Sequence, residues 1–169
     1  MAKPANTDYP EYFGRYINLV SEDDPGEAFK NQFPVLESFL QSIDEGKSLY
    51  AYAPGKWTLK EMLLHMADTE RIFNYRALSF ARKEVISLPS FDENLYAENS
   101  NANTRSWESL GKEFINVRRS TEDLFNSFSD EVLEQKGMAN NNTTSVKSLG
   151  FIIIGHAYHH IKVAEERYW

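Results

Sequence analysis

Four stretches of this 169-residue chain carry apolar residues at helical spacing, and each begins at a residue suited to cap a helix. Asp24-Pro25-Gly26-Glu27 offers an N-cap, a proline at the first helical position and an acid at the third. It predicts a helix to about Ile43, with Phe29, Phe33, Leu36, Phe39, Leu40 and Ile43 on one stripe. Pro34 lies inside it, so a kink or a later start is expected. Thr58-Leu59-Lys60-Glu61 is a capping box for a second helix to about Arg82, burying Leu59, Met62, Leu63, Met66, Phe73 and Phe80. Ser106 caps a third helix to about Phe128, and Thr144 or Ser145 starts a fourth to about Tyr168. Glu45 to Trp57 reads as loop, as does the turn through Gly137 and Asn140-Asn141-Asn142. Residues 83–104 form a connection long enough to be functional or locally structured. Strand patterns are nearly absent. The expectation is an all-α four-helix bundle with a long loop between helices 2 and 3. It forms one domain over 1–169, with 1–24 as an N-terminal extension packing on the bundle.

The formal net charge of −7 argues against a nucleic-acid backbone as partner, and no apolar run is long enough to span a membrane. Residues 1–10 lack the apolar stretch of a secretory signal, so a cytoplasmic protein is expected. There is no cysteine. Disulfides, Cys-ligated zinc and an internal thiol nucleophile are therefore excluded, and a transition metal would rest on His and carboxylate ligands.

Three of the four histidines fall in His156-Ala157-Tyr158-His159-His160. His156 and His160 stand four residues apart, on one helical face that continues through Leu149, Ile152, Ile153 and Val163. A lone inward histidine is usually a hydrogen-bonded core residue. Two on one apolar face are harder to satisfy that way, and such a pair can grip one metal ion. His65 on the second helix is the remaining candidate for a third ligand. His159 points about 60° away from His156 and reads as a surface or orienting residue, with replacement of one ligand as the alternative. Other templates fit worse. There is no His-Glu-x-x-His, and Glu61-x-x-x-His65 has the wrong spacing for a di-iron motif. Asp68, Glu70 and, in the long connection, Asp92 are candidates for positioning a ligand. Asp68 and Glu70 could equally pair with Arg71 or Arg76.

Pro54-Gly55-Lys56-Trp57-Thr58, then His65 and Asp68-Thr69-Glu70-Arg71, then Leu88-Pro89 with Phe91-Asp92-Glu93, and finally Gly155-His156, His159-His160 and Glu166-Arg167-Tyr168 follow one another in an order that resembles the DinB superfamily. The resemblance implies an up-down-down-up bundle, often dimeric. It also implies a metal site at His65, His156 and His160 for one divalent ion, zinc or nickel first. Members of that family transfer low-molecular-weight thiols to small electrophiles, isomerise with a thiol's help, or carry the description of metal-dependent hydrolase. For this chain the resemblance leads first to a metal-dependent enzyme that activates an external thiol for transfer to a small molecule. Hydrolysis by metal-activated water is the second reading, and a non-catalytic metal-binding or interaction module the third. Trp57, Phe91, Tyr96 and Tyr158 could wall a substrate pocket. Three histidine ligands would lose metal below about pH 6, where imidazole takes up a proton.

Overall fold

A computed structural model describes residues 2–169. In chain order its helices are α1 (Gly14–Ile17), α2 (Pro25–Gln41), α3 (Glu45–Ser48), α4 (Leu59–Ala81), α5 (Glu93–Asn99), α6 (Trp107–Asn126), α7 (Asp130–Leu133) and α8 (Val146–Arg167). Strands β1 (Lys136–Ala139) and β2 (Asn142–Ser145) form an antiparallel hairpin before α8.

The four long helices begin where their caps are. Asp24 accepts from the Glu27 amide at 2.9 Å. Thr58 and Glu61 close the reciprocal box, at 3.1 and 2.7 Å. Ser106 accepts from the Ser109 amide at 3.2 Å and Ser145 from the Ser148 amide at 3.0 Å. Each satisfies an amide that the first helical turn leaves without a partner. The first of these helices does not start late. It runs through Pro34, which faces solvent, where water can satisfy the carbonyl the proline leaves free.

Side-chain bridges fix the directions. Thr58 meets Asn103, Glu70 meets Arg118 and Asn74 meets Thr121, so residue numbers rise together along α4 and α6, which are parallel. Trp57 accepts from the Tyr168 hydroxyl while His65 lies beside His156, so α4 and α8 are antiparallel. Gln32 bonds Arg118 and Leu40 accepts from Trp107, which makes α2 antiparallel to α6. The topology is up-down-down-up.

Parallel neighbours cannot be joined by a tight turn. A helix of twenty residues is about 30 Å long, and the connection has to travel back along it. Residues 82–106 do so. Leu88 pairs with the hairpin through Met138 and Asn140, at 2.9 and 2.8 Å. Next comes α5, begun by Asp92, whose carboxylate accepts from the Asn94 and Leu95 amides. Asn103 then meets Thr58 and Glu61 at the start of α4. The long connection is locally structured, one of the two outcomes expected from its length.

The hairpin departs from the all-helical expectation. Asn140 and Asn141 both take left-handed φ values, 50° and 58°, which suits a two-residue turn between strands. The 45–57 segment also holds α3, capped by Asp44 at 2.8 Å. Its Glu45 receives the Trp107 amide at 2.7 Å and the Lys60 ammonium.

Two apolar clusters fill the bundle. One, towards the hairpin, joins Phe29, Phe73, Phe80, Phe125, Phe151 and Ile152. The other joins Leu36, Leu59, Leu63, Trp107, Phe114 and Ile161. The first half of α8 is buried all round, as a central helix should be. The chain before α2 straps across it. Asp8 accepts from the Ser145 amide and the Ser148 hydroxyl. Gly155 allows the closest approach, because a Cβ there would lie 2.0 Å from the Tyr16 carbonyl oxygen. No helix among the described residues is long and apolar enough to cross a membrane.

Candidate metal centre

The antiparallel pairing of α4 and α8 brings His65 to the face that carries His156 and His160. His156 Nε2 lies 3.1 Å from His65 Nε2 and 3.0 Å from His160 Nε2. One ring nitrogen from each residue falls within 4.8 Å of the others. His156 is buried, and the other two are partly exposed towards a cavity.

Protons alone satisfy this cluster poorly. A neutral ring nitrogen has either one N–H or one lone pair. His156 Nε2 faces two nitrogens at once, so it cannot make a good hydrogen bond to both. One divalent cation satisfies all three lone pairs together. Metal–nitrogen bonds of about 2.0–2.1 Å place ligand nitrogens roughly 3–3.4 Å apart, in line with the two short separations. The residues present fit a metal ion.

Burial also keeps the imidazoles in the ligand form. It pushes His65 down to about 4. His156 and His160 fall well below the ordinary range, first through burial and then through the positive charge neighbouring imidazoles would carry. The pH window expected from unperturbed histidine, near 6, therefore moves down in the folded chain.

His159 is not part of the converging set. Its ring lies 5.2 Å from that of His160 and 5.4 Å from that of Tyr16, at the cavity wall. Tyr16 also stands edge-on to His156 at 5.3 Å, and Trp57 covers His65 at 4.7 Å.

The three carboxylates singled out in the sequence are engaged elsewhere. Glu70 turns into the core and takes two hydrogen bonds from Arg118, each 2.9 Å, and one from Thr121 at 2.6 Å. Asp68 pairs with Arg71 at 3.0 Å. Asp92 caps α5. Among the described residues, none of them hydrogen-bonds an imidazole of the triad. Thr69 stands beside a second ring nitrogen, its hydroxyl 3.5 Å from His65 Nδ1.

The cavity beside the triad encloses about 470 Å³. Its wall follows one face of α4 through His65, Thr69, Phe73, Arg76 and Phe80. Of the four aromatics that could wall a pocket, Trp57 and Phe91 line it, whereas Tyr158 packs against the core and Tyr96 pairs with Phe91 outside the lining. The contribution of Arg15 and Tyr16 was not legible in the sequence. Its signal is Gly155, the small residue on α8 that lets the strap come close.

The DinB superfamily model matches residues 28–164, most of the chain. The chain belongs to the DinB superfamily. Among solved structures, the fold is similar to that of YfiT from Bacillus subtilis, described as a probable metal-dependent hydrolase with an unusual four-helix bundle topology. The TM-score is 0.72 at 15% identity, over 99% of this chain and 94% of that one. No curated protein matches the sequence. The DinB match spans α4 and α8, and so all three histidines of the cluster.

Proposed function

We propose that this DinB protein is a metal-dependent enzyme in which His65, His156 and His160 hold one divalent ion, zinc or nickel. In this reading the protein transfers a low-molecular-weight thiol to a small electrophile, and a bound ion would favour the thiolate form. The observation that carries it is a triad opening on a cavity, with no carboxylate among the described residues hydrogen-bonded to it. When bound, the ion supplies a Lewis acid that lowers the pKa of the nucleophile brought to it. A thiol near pKa 8.5 needs only a small shift to ionise at neutral pH, whereas water starts at about 15.7. Thiol activation thus asks less of a site without a positioned base. The chain has no cysteine, so the thiol would come from outside. Trp57 and Tyr16 pack against two of the imidazoles, tilted and edge-on respectively.

A second reading, hydrolysis, is favoured by the description of YfiT and by Glu93, an exposed carboxylate at the cavity wall. One experiment separates the two. Metal-loaded protein is given a chromogenic electrophile with a small thiol, and in parallel a chromogenic ester without one. Thiol-dependent turnover lost in His160→Ala supports the first reading. Thiol-independent ester cleavage lost in Glu93→Gln supports the second. Metal binding with neither activity would leave a binding module.

A further inference from the structure

Arg76 is 7% exposed, lines the cavity, and has no carboxylate within salt-bridge distance among the described residues. Its one hydrogen bond goes from Nη2 to the Pro89 carbonyl at 2.8 Å. A guanidinium has five N–H donors, so most of its capacity stays open. The other buried arginine, Arg118, shows the contrast: it is held by Glu70 and Gln32. Arg71 and Arg105 share Glu113. A buried cation without an anion is costly, and chains usually pair it. Here Asp68 and Glu70 lie on the same helix and both pair elsewhere.

The rest of the cavity supports the same conclusion. Arg15 lies at the wall with its guanidinium over the Tyr12 and Tyr16 rings, at 3.9 and 4.6 Å, and has no carboxylate partner among the described residues. The lining carboxylate is Glu93, exposed and not bridged to either arginine. A chain of net charge −7 thus places two arginines without a carboxylate partner, the buried Arg76 and the exposed Arg15, and one exposed carboxylate around its cavity.

We infer that Arg76 receives the oxyanion of an elongated substrate whose reacting end lies at the histidine triad. This rests on the triad being the reacting end, as proposed above. His65 and Arg76 are eleven residues apart on α4, which returns them to nearly the same face about 16 Å along the axis. Side chains lean towards a helix N-terminus, so the guanidinium can reach back towards the triad. Phe73 lies between, with Phe80 and Phe91 near the arginine end, and provides an apolar wall for the middle of the ligand. The ligand class is a carboxylate or phosphate joined by an apolar spacer to the reacting group.

The test uses chelator-treated full-length protein, so that it does not depend on turnover. ω-Mercaptoalkanoates of five to ten carbons, their neutral amides and the matching alkyl phosphates are titrated calorimetrically. At least one oxyanion series should bind about tenfold to a hundredfold tighter than the amides, with an optimum in chain length. Whichever series binds tighter identifies the oxyanion. Arg76→Met should abolish the preference without lowering Tm, because it removes an unpaired buried charge; Arg76→Lys should keep part of it. Equal binding of acid, phosphate and amide, or a preference unchanged in Arg76→Met, would overturn the inference. Failure of thiol transfer with the anion preference intact would overturn only the thiol reading.

Discussion

Glu70 and Arg118 meet through two parallel hydrogen bonds of 2.9 Å between α4 and α6. Both side chains are almost wholly removed from water. Removing one partner leaves an uncompensated buried charge, at a cost of about 3–5 kcal/mol. Glu70→Ala should therefore lower Tm by roughly 6–20 °C in a chain of this size. The double variant Glu70→Leu/Arg118→Met should lose much less, read by thermal denaturation. Metal content by elemental analysis should stay the same in Glu70→Ala, since the carboxylate makes no hydrogen bond to the triad.

The triad itself gives a second prediction. His65→Ala should lose bound metal although His156 and His160 remain on their own helix. Chelator should then lower the Tm of the parent protein and leave that of the variant unchanged. A variant retaining a full equivalent of metal would separate α4 from the site.

Burial of neutral imidazoles predicts a pH dependence for the metal-free protein. His65 titrates near 4 in the folded chain and near 6.5 when unfolded. His156 and His160 shift in the same direction. Between these values the unfolded chain binds more protons, so stability is full above about pH 6.5 and is lost as pH falls towards 4. Each imidazole contributes up to about 1.4 kcal/mol per pH unit in that window. Tm of chelated protein should fall from pH 7 to pH 5, and less steeply in His65→Leu. A flat profile would mean that the folded imidazoles take up protons freely.

Gly155→Ala should damage fold and site together. The new methyl would meet the Tyr16 carbonyl, and the strap carrying Tyr16 would have to move away from His156. Overpacking of this kind costs typically about 1–3 kcal/mol, or roughly 2–12 °C in Tm. Metal affinity, measured by competition with a chromogenic chelator, should weaken in the same variant.

The helices were legible because their ends are written locally, in Asp24, Thr58, Ser106 and Ser145. The His156–His160 pair was legible because a helix fixes which side chains share a face. The hairpin was not. Its strands are four residues each, without apolar alternation, and the turn signal is Asn140-Asn141 in place of a more usual Asn-Gly. The partner of Glu70 was also hidden. Arg118 stands 48 residues away and is fully buried, a place its residue type gives no reason to expect. Long-range packing decides such pairs, and spacing within one helix carries no trace of it.

The return path from α4 to α6 has a consequence for how this scaffold can change. Ser90, Phe91 and Glu93 on that path form cavity wall, while the histidines sit on helices that the path does not interrupt. Its ends are pinned independently, by Leu88 on the hairpin and by Asn103 on the start of α4. The exposed positions between those pins are therefore free to vary, provided Pro89 and the buried Ala97 and Ala102 are kept. Changing Ser90, Phe91 and Glu93 there would re-specify what the cavity admits while the metal ligands stay on their helices.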